Sequence, residues 1–277
     1  MLALKFLWAP DPVAISLGSF KVYYYSLMFV IAFSAGLYLM KYIFKKEGVA
    51  LKYLDPLLLY MVVGTLLGAR LGEVFFYNWD YFQNNLLEII LPIKITEAGW
   101  KFVGFRGLAS HGAVVGILSA LYLYTKKYKY ASLLWLLDRI AITVAFGGMF
   151  IRIGNFFNSE IVGKYTGSSF GVVFQNNGDT LPRHPVQLYE SLGYLIVFFI
   201  LFSLYKNIKL RNQKGFLVGA FFSLLFTVRF CAEFVKESQG GFGEHLGSLS
   251  TGQWLSIPLI ILGLALIALS NRNKAKA

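Results

Sequence analysis

Hydrophobic residues occur in long stretches along the whole chain, a pattern that predicts membrane spans. Seven stretches of about 20 residues have the length that crosses a bilayer core as an α-helix. They cover residues 22–40, 53–76, 109–125, 132–150, 186–204, 215–234 and 252–270. The sequence therefore predicts an all-α membrane protein with seven transmembrane helices, folded as a single integral membrane domain over residues 1–277.

Two segments between the predicted spans are too long to be simple turns. Residues 77–108 contain Trp79, Tyr81 and Trp100, and this aromatic content predicts an amphipathic element at the membrane interface. Residues 151–184 predict a small outer cap with some extended structure. Glycines recur every four residues in the second and third spans, which predicts that these two helices pack closely on their neighbours.

Charged residues set the expected orientation. The chain has 26 Lys and Arg against 14 Asp and Glu, and its 57% hydrophobic content and mean hydropathy of +0.60 exclude an ordinary soluble domain. Segments on one side of the predicted spans hold fourteen basic residues against one acid, and those on the other side hold nine against eight. By the positive-inside rule, the C-terminus is expected in the cytoplasm and the N-terminus outside. Because the positive charge follows topology, no nucleic-acid partner is expected.

Polar side chains in the predicted spans share a common depth. Counting along each helix places eight of them at the level of the outer leaflet: Tyr25, Arg70, Glu73, His111, Arg152, Glu190, Arg229 and Glu233. Because ionisable groups are costly inside a membrane, this layer predicts a water-accessible pocket that opens to the outer leaflet. The alternative is a set of structural ion pairs, such as Arg229 with Glu233 four residues on. Asp55, Asp138 and Arg139 lie near the cytoplasmic side, where snorkelling or helix capping is the ordinary role.

The arginines of this layer indicate a class of ligand. A planar guanidinium forms paired hydrogen bonds to phosphate, and neighbouring glutamates would orient it and limit the positive charge of an empty pocket. An anionic lipid headgroup therefore matches both the charge and the depth of the layer.

Four short motifs narrow the function further. They are residues 110–116 (SHGAVVG), 152–163 (RIGNFFNSEIVG), 183–190 (RHPVQLYE) and 229–234 (RFCAEF). In the second motif, Arg152 and Asn155 share a helical face, and Asn158, Glu160 and Gly163 are expected in a polar turn above it. Together, and in this order, the motifs closely resemble the bacterial prolipoprotein diacylglyceryl transferases. The likeness extends from about residue 22 to about residue 262.

The resemblance implies a location and a reaction. It implies a seven-helix enzyme of the bacterial inner (cytoplasmic) membrane, with its cap in the periplasm. Such an enzyme transfers the diacylglyceryl group of phosphatidylglycerol to the thiol of the lipobox cysteine in a preprolipoprotein signal peptide. A thioether forms and glycerol phosphate leaves, in the first step of lipoprotein maturation, and no cofactor is implied. Departures from the family pattern at Ser26, Ala113 and Ile142 concern packing more than chemistry.

The resemblance also assigns roles to individual residues. It implies His111, Arg229 and Tyr25 as catalytic residues, and Arg152, Asn155, Glu160 and Glu233 as residues that bind phosphatidylglycerol. A thiol with a pKa of about 8.5 needs a base or a positive field to ionise, so we expect Arg229 to favour the thiolate and to stabilise the leaving group. Arg152 is expected to bind the lipid phosphate. His111 fits a general base, and it fits equally a structural or lipid-positioning role through a hydrogen bond to a backbone group or a glutamate.

Other chemistries have weaker support. The three histidines are scattered, so no metal-ligand spacing is present. His184 is expected to cap a helix, His245 is expected to have no chemical role, and Cys231 is expected to be a small buried hydrophobe. A transporter or flippase for an anionic lipid is the alternative function, although it would be expected to have polar groups near the midplane and repeated halves. An intramembrane protease lacks a nucleophile at a suitable depth.

Overall fold

The computed structural model describes residues 5–18, 20–91, 93–96, 99–102, 107–238 and 248–274. The helices in these ranges are α1 (Tyr24–Glu47), α2 (Leu54–Phe76), α3 (Trp79–Phe82), α4 (Leu87–Ile90), α5 (Ser110–Lys127), α6 (Leu133–Phe157), α7 (Val186–Lys206), α8 (Ile208–Arg211), α9 (Phe216–Ala232) and α10 (Thr251–Lys274). Helices α3, α4 and α8 are single turns. The other seven coincide with the seven predicted apolar stretches.

Among the described helices, five are long and apolar enough to cross a membrane. These are α1, α2 with the 3₁₀ turn before it, α6, α7 and residues 251–271 of α10. Helix α9 is apolar but shorter, with 17 residues. A mostly helical membrane protein is therefore confirmed, whereas the count of seven spans stays a prediction.

Helix α6 is longer than the sequence pattern predicted. The predicted span ended at residue 150, but the helix continues to Phe157 and stops where Ser159 and Ile161 take positive φ values of 54° and 59°. Residues 151–157 contain no proline, and a helix can continue until a residue adopts the left-handed conformation. The first part of the predicted cap is therefore helix.

The chain divides into two compact units. The first comprises Met1–Ile43 and Leu137–Ala277, and the second comprises Phe44–Leu136. The single integral membrane domain over residues 1–277 remains a prediction.

In the second unit, α2 and α5 pack through their glycines, as the sequence predicted. A Cβ atom added to Gly112 would lie 2.2 Å from the carbonyl oxygen of Gly68, and one added to Gly116 would lie 2.1 Å from that of Gly64. Both distances are far below van der Waals contact, so only glycine permits this approach of the two backbones. An apolar groove of about 620 Å³ runs along the same pair of helices, and no charged side chain lines it.

The segment after α2 contains short elements. Helices α3 and α4 are followed by an antiparallel hairpin of strands that pair Ile95 with Trp100. Trp100 is 73% exposed. The interfacial position predicted for residues 77–108 stays a prediction.

In the first unit, a buried carboxylate connects α6 to the start of α9. The carboxylate of Asp138 in α6 accepts hydrogen bonds from the backbone N–H of Gly215 at 2.8 Å and of Val218 at 2.9 Å. These donors belong to the first turn of α9, where backbone N–H groups have no partner within the helix. The capping role expected for Asp138 is confirmed. Asp138 lies in α6 and caps the N-terminus of α9, not that of its own helix.

The described residues also contain short strands, of which only the extended structure within residues 151–184 was predicted. In chain order the strands are β1 (Lys5–Trp8), β2 (Val13–Leu17), β3 (Phe20–Tyr23), β4 (Ile93–Thr96), β5 (Gly99–Phe102) and β6 (Gly171–Phe174). Strand β1 pairs in parallel with β6, and the Trp8 indole donates to the Phe156 carbonyl oxygen at 2.9 Å. The segment 158–184 is therefore folded with some extended structure, as predicted, and it is completed by the N-terminal residues.

Candidate active site

The guanidinium of Arg152 lies near the end of α6 and is held by groups from two helices. Its Nε lies 3.1 Å from Oε2 of Glu190 in α7, and this contact is ionic rather than a well-aligned hydrogen bond. Its Nη1 donates to Oδ1 of Asn155 at 3.0 Å, and its Cζ lies 5.9 Å from the centre of the Tyr194 ring. Only 12% of the Arg152 side chain is exposed. Tyr194 was not among the expected residues, although its position four residues after Glu190 places it on the same helical face.

Asn155 connects this arginine to the turn that follows α6. Its Nδ2 donates to Oε1 of Glu160 at 2.6 Å. The turn is fixed from α7, since Nε2 of Gln187 donates to the Glu160 carbonyl oxygen at 2.7 Å. The polar turn expected above Arg152 is thus present, and the Glu160 side chain is exposed at its surface.

Tyr25 joins the same network from the start of α1. Its side chain lies close to that of Asn155 and within electrostatic range of Glu160 and Arg152. The ring packs against Gly154, where an added Cβ would lie 2.8 Å from Cδ2 of Tyr25. A larger residue at this point would push the ring away. The structure therefore brings together four of the expected residues: Tyr25, Arg152, Asn155 and Glu160.

The ion pair of Arg229 with Glu233, which the structural alternative allowed, is not formed. Oε1 of Glu233 lies 2.7 Å from Nζ of Lys236, and Oε2 accepts a hydrogen bond from Ser250 Oγ at 2.8 Å. Among the described residues, the Arg229 guanidinium has no hydrogen bond and no ion pair, although it lies within electrostatic range of Tyr194. Lys236 and Ser250 were missed because neither belongs to a motif.

His111 belongs to the second unit, in the first turn of α5. Its side chain is exposed, and it makes no hydrogen bond to any residue in the described ranges. The backbone of this turn is tied to α2, because the Ala109 N–H donates to the Ala69 carbonyl oxygen at 3.0 Å. A purely structural histidine was expected to bond to a backbone group or a glutamate, and the described residues supply no such bond.

Arg70 and Glu73 belong to the same predicted polar layer. Their side chains contact the segment that follows α2. The Arg70 guanidinium donates to the Ile89 carbonyl oxygen at 3.1 Å and lies 4.6 Å from the centre of the Phe82 ring. Glu73 accepts a hydrogen bond from Asn78 at 2.7 Å. These contacts stabilise the residues that follow α2, which matches the structural alternative rather than the expected pocket.

Glu88 anchors this segment on its other side. Its carboxylate accepts hydrogen bonds from the Ile95 N–H and the Tyr81 hydroxyl, each at 2.7 Å. Burial by itself would raise the pKa of Glu88, but these hydrogen bonds and the charges of Lys94 and Arg70 outweigh it and hold the pKa below its ordinary value.

Two further motif residues, His184 and Gly163, lie in the segment 158–184. His184 precedes the N-cap residue of α7, Pro185, and its Nδ1 lies 3.3 Å from the Tyr189 hydroxyl. Gly163 packs against His184, where a Cβ would lie 2.5 Å from the carbonyl oxygen. His245 lies outside the described residues. Cys231 is exposed, so its expected burial is wrong. The described part of the chain has no cluster of three or more His, Cys, Asp or Glu residues suited to a metal.

Comparison with known proteins identifies the family. The family model described as prolipoprotein diacylglyceryl transferase matches residues 12–269. A protein named phosphatidylglycerol–prolipoprotein diacylglyceryl transferase from Tolumonas auensis is 42% identical over 269 residues, which cover 97% of this chain and 99% of the relative. Proteins of the same name from Bacteroides fragilis and Chloroherpeton thalassium are 38% and 42% identical, covering 99% and 94% of this chain and 98% and 92% of the relatives. The chain therefore belongs to the prolipoprotein diacylglyceryl transferase family.

Proposed function

We propose that this protein transfers the diacylglyceryl group of phosphatidylglycerol to the lipobox cysteine of preprolipoprotein signal peptides. The thiolate sulfur attacks the carbon of the diacylglyceryl group that is bonded to the phosphate oxygen. A C–S bond forms, and the bond between this carbon and the phosphate oxygen breaks. Glycerol phosphate leaves, and the thiol proton passes to a base and finally to the departing phosphate. The observation that carries this proposal is the Arg152 network, which presents a buried guanidinium braced by Glu190 and Asn155 in a chain of this family.

The site residues take the following roles in the proposal. Arg152 binds the lipid phosphate in a hydrogen-bond network completed by Asn155, Glu160 and Tyr25, and Glu233 belongs to the same headgroup site. Arg229 stabilises the charge that develops on the leaving phosphate and favours the thiolate. Among the described residues its guanidinium has no hydrogen bond and no ion pair, which supports this role because its N–H donors are available to an incoming anion.

His111 has two roles open to it in the reaction. It is either the base that accepts the thiol proton or a residue that positions the lipid. Its exposed ring, which is not hydrogen-bonded to any described residue, supports a role toward a substrate over one in the fold.

The proposal includes a position in the membrane. Seven helices cross the inner membrane of a bacterium, with the N-terminus and the segment 158–184 in the periplasm and the C-terminus in the cytoplasm. The charge distribution along the chain supports this orientation. Phosphatidylglycerol and the signal peptide both enter from the bilayer, and neither a nucleotide nor a nucleic acid takes part.

A transfer assay tests the function. Purified protein in detergent is given phosphatidylglycerol labelled in its acyl chains and a lipobox peptide, and label on the peptide cysteine is measured. We expect transfer by the parent and loss of transfer in Arg152→Ala and Arg229→Ala. The control, Lys209→Ala, removes an exposed charge in α8, beyond the C-terminal end of α7, and should retain transfer. Retained activity in His111→Gln would exclude His111 as the general base. A folded parent that binds lipid without transferring it would contradict the proposal and favour lipid transport.

A further inference from the structure

The carboxylate of Glu233 contacts a lysine and a serine and not the arginine that precedes it by four residues. Glu233 follows α9 and stands four residues after Arg229, a spacing at which opposite charges on a helix commonly pair. Its oxygens instead contact Lys236 at 2.7 Å and Ser250 at 2.8 Å. The Lys236 and Glu233 side chains are only 8% and 11% exposed, so this is a largely desolvated ion pair.

Ser250 is set to donate to this carboxylate. Its Oγ accepts a hydrogen bond from the Gln253 N–H at 3.2 Å, while the Gln253 side chain accepts from the Ser250 N–H at 2.9 Å. This reciprocal arrangement caps the N-terminus of α10. Because the hydroxyl accepts from the helix, its own proton is directed to Glu233. The carboxylate also lies at the positive end of the α10 dipole.

Gly252 leaves room for the carboxylate. A Cβ atom at this position would lie 2.3 Å from Cδ of Glu233. Any other residue would displace the carboxylate from its contact with Ser250.

The backbone fixes the direction of Lys236. The segment that contains it pairs with the turn after α6, through hydrogen bonds from the Lys164 N–H to the Val235 carbonyl oxygen at 2.8 Å and from the Glu237 N–H to the Val162 carbonyl oxygen at 3.1 Å. Lys236 lies opposite Gly163 in this pairing. The ammonium group is therefore held beside Glu233 by the cap itself.

We propose that Lys236 is a positioning residue, which neutralises Glu233 and so leaves the Arg229 guanidinium available to the anionic headgroup. This inference rests on the proposed function. Without the lysine, Glu233 would have a net negative charge one helical turn from Arg229 and would attract it. Lys236 acts through Glu233 and has no contact of its own with the substrate.

A double-mutant cycle tests this inference in the full-length protein in detergent. Lys236→Gln is expected to lower the kcat of diacylglyceryl transfer about tenfold, with the KM for the lipobox peptide unchanged, because the leaving group loses stabilisation by Arg229. Lys236→Arg is expected to stay within about twofold of the parent, since the positive charge remains. In a Glu233→Gln background, the added Lys236→Gln change is expected to cost nothing further, because its only target is gone.

Binding of a short-chain phosphatidylglycerol, measured by calorimetry, gives a readout that does not depend on turnover. Lys236→Gln is expected to weaken binding, and this effect too should vanish in the Glu233→Gln background. If Lys236→Gln does not fold, Ser250→Ala frees Glu233 from its other partner and should weaken binding in the same direction.

Two results would overturn the inference. One is a loss of binding in Lys236→Gln that persists in full in the Glu233→Gln background, which would mean that the lysine contacts the phosphate itself. The other is unchanged binding and kcat in both Lys236→Gln and Ser250→Ala. A parent that binds the lipid but transfers nothing would contradict the proposed function, while the binding cycle would still decide the role of Lys236.

Discussion

At the scale of single residues, the balance of charge around Arg152 explains how an arginine can be kept near the end of a membrane helix. A buried guanidinium is stable only when its charge and its hydrogen-bond donors are satisfied. Glu190 supplies the charge, Asn155 supplies an acceptor, and the ring of Tyr194 lies 5.9 Å from the Arg152 Cζ. The same partners hold the guanidinium in one orientation, which is what recognition of a phosphate requires.

Removing the charge of Glu190 should therefore affect both stability and activity. We expect Glu190→Gln to lower the free energy of unfolding by about 2–4 kcal/mol, because it leaves Arg152 buried without its counter-charge. Transfer from phosphatidylglycerol should fall as well, since the guanidinium is no longer held in place. The control is Glu237→Gln, which breaks the exposed pair with Arg183 and should cost less than about 1 kcal/mol. Unfolding in mixed micelles measures the free energy of unfolding of both variants. Equal losses of stability in Glu190→Gln and Glu237→Gln would contradict the argument.

Residue type and depth were predictable at this scale, but partners were not. Arg70 and Arg152 have the same depth and the same chemistry in the sequence. One donates to carbonyl oxygens of a neighbouring turn, and the other pairs with a glutamate of α7. The difference depends on which acceptors the fold brings within reach, and these lie 19 and 38 positions away along the chain.

At the scale of elements, the contact between α2 and α5 is set by glycines. In a bilayer, helices gain little from hydrophobic burial against each other, so close backbone approach supplies much of the attraction. The four-residue spacing of Gly64 and Gly68 places both on the face that meets Gly116. This close packing was predictable because it follows from local spacing.

A methyl group on this face should separate the helices. We expect Gly112→Ala to destabilise the protein by about 1–3 kcal/mol, because its Cβ would overlap the Gly68 carbonyl oxygen. Gly36→Ala in α1 is the matched control, since its Cβ would lie 3.7 Å from Cβ of Thr143 in ordinary contact. The control should be neutral or stabilising by up to about 1 kcal/mol. Thermal unfolding followed by intrinsic fluorescence distinguishes the two, and equal midpoints would show that the helices do not approach so closely.

At the scale of the whole molecule, the proposed topology rests on charge. The basic residues are concentrated in the last turns of α1, α5, α7 and α10 and in the segments that follow these helices, and the positive-inside rule predicts that these lie in the cytoplasm. Strand β1 pairs with β6, so the proposed topology has the N-terminal residues and the segment 158–184 on the same side of the membrane.

Cysteine labelling tests this orientation. In a Cys231→Ser background, we expect Thr180→Cys to react with a membrane-impermeant maleimide in spheroplasts, because its segment faces outward. Lys209→Cys should react only after the membrane is permeabilised. Both positions are exposed, so access to the reagent depends on the compartment. Labelling of Lys209→Cys in sealed spheroplasts would reverse the proposed topology.

The sequence by itself determined the helical membrane architecture, the motifs and the residue types of the site. Each of these depends on composition and spacing within one segment, where length, period and charge act locally. Only the tertiary structure decided that β1 completes the cap, that Asp138 caps α9, and that Glu233 binds Lys236 and Ser250 rather than Arg229. Most of these contacts are between segments far apart in the chain. For Glu233, two cations, Arg229 and Lys236, lie at a suitable local spacing. Because competing partners are equivalent in local sequence, the packing of the helices and the cap selects among them.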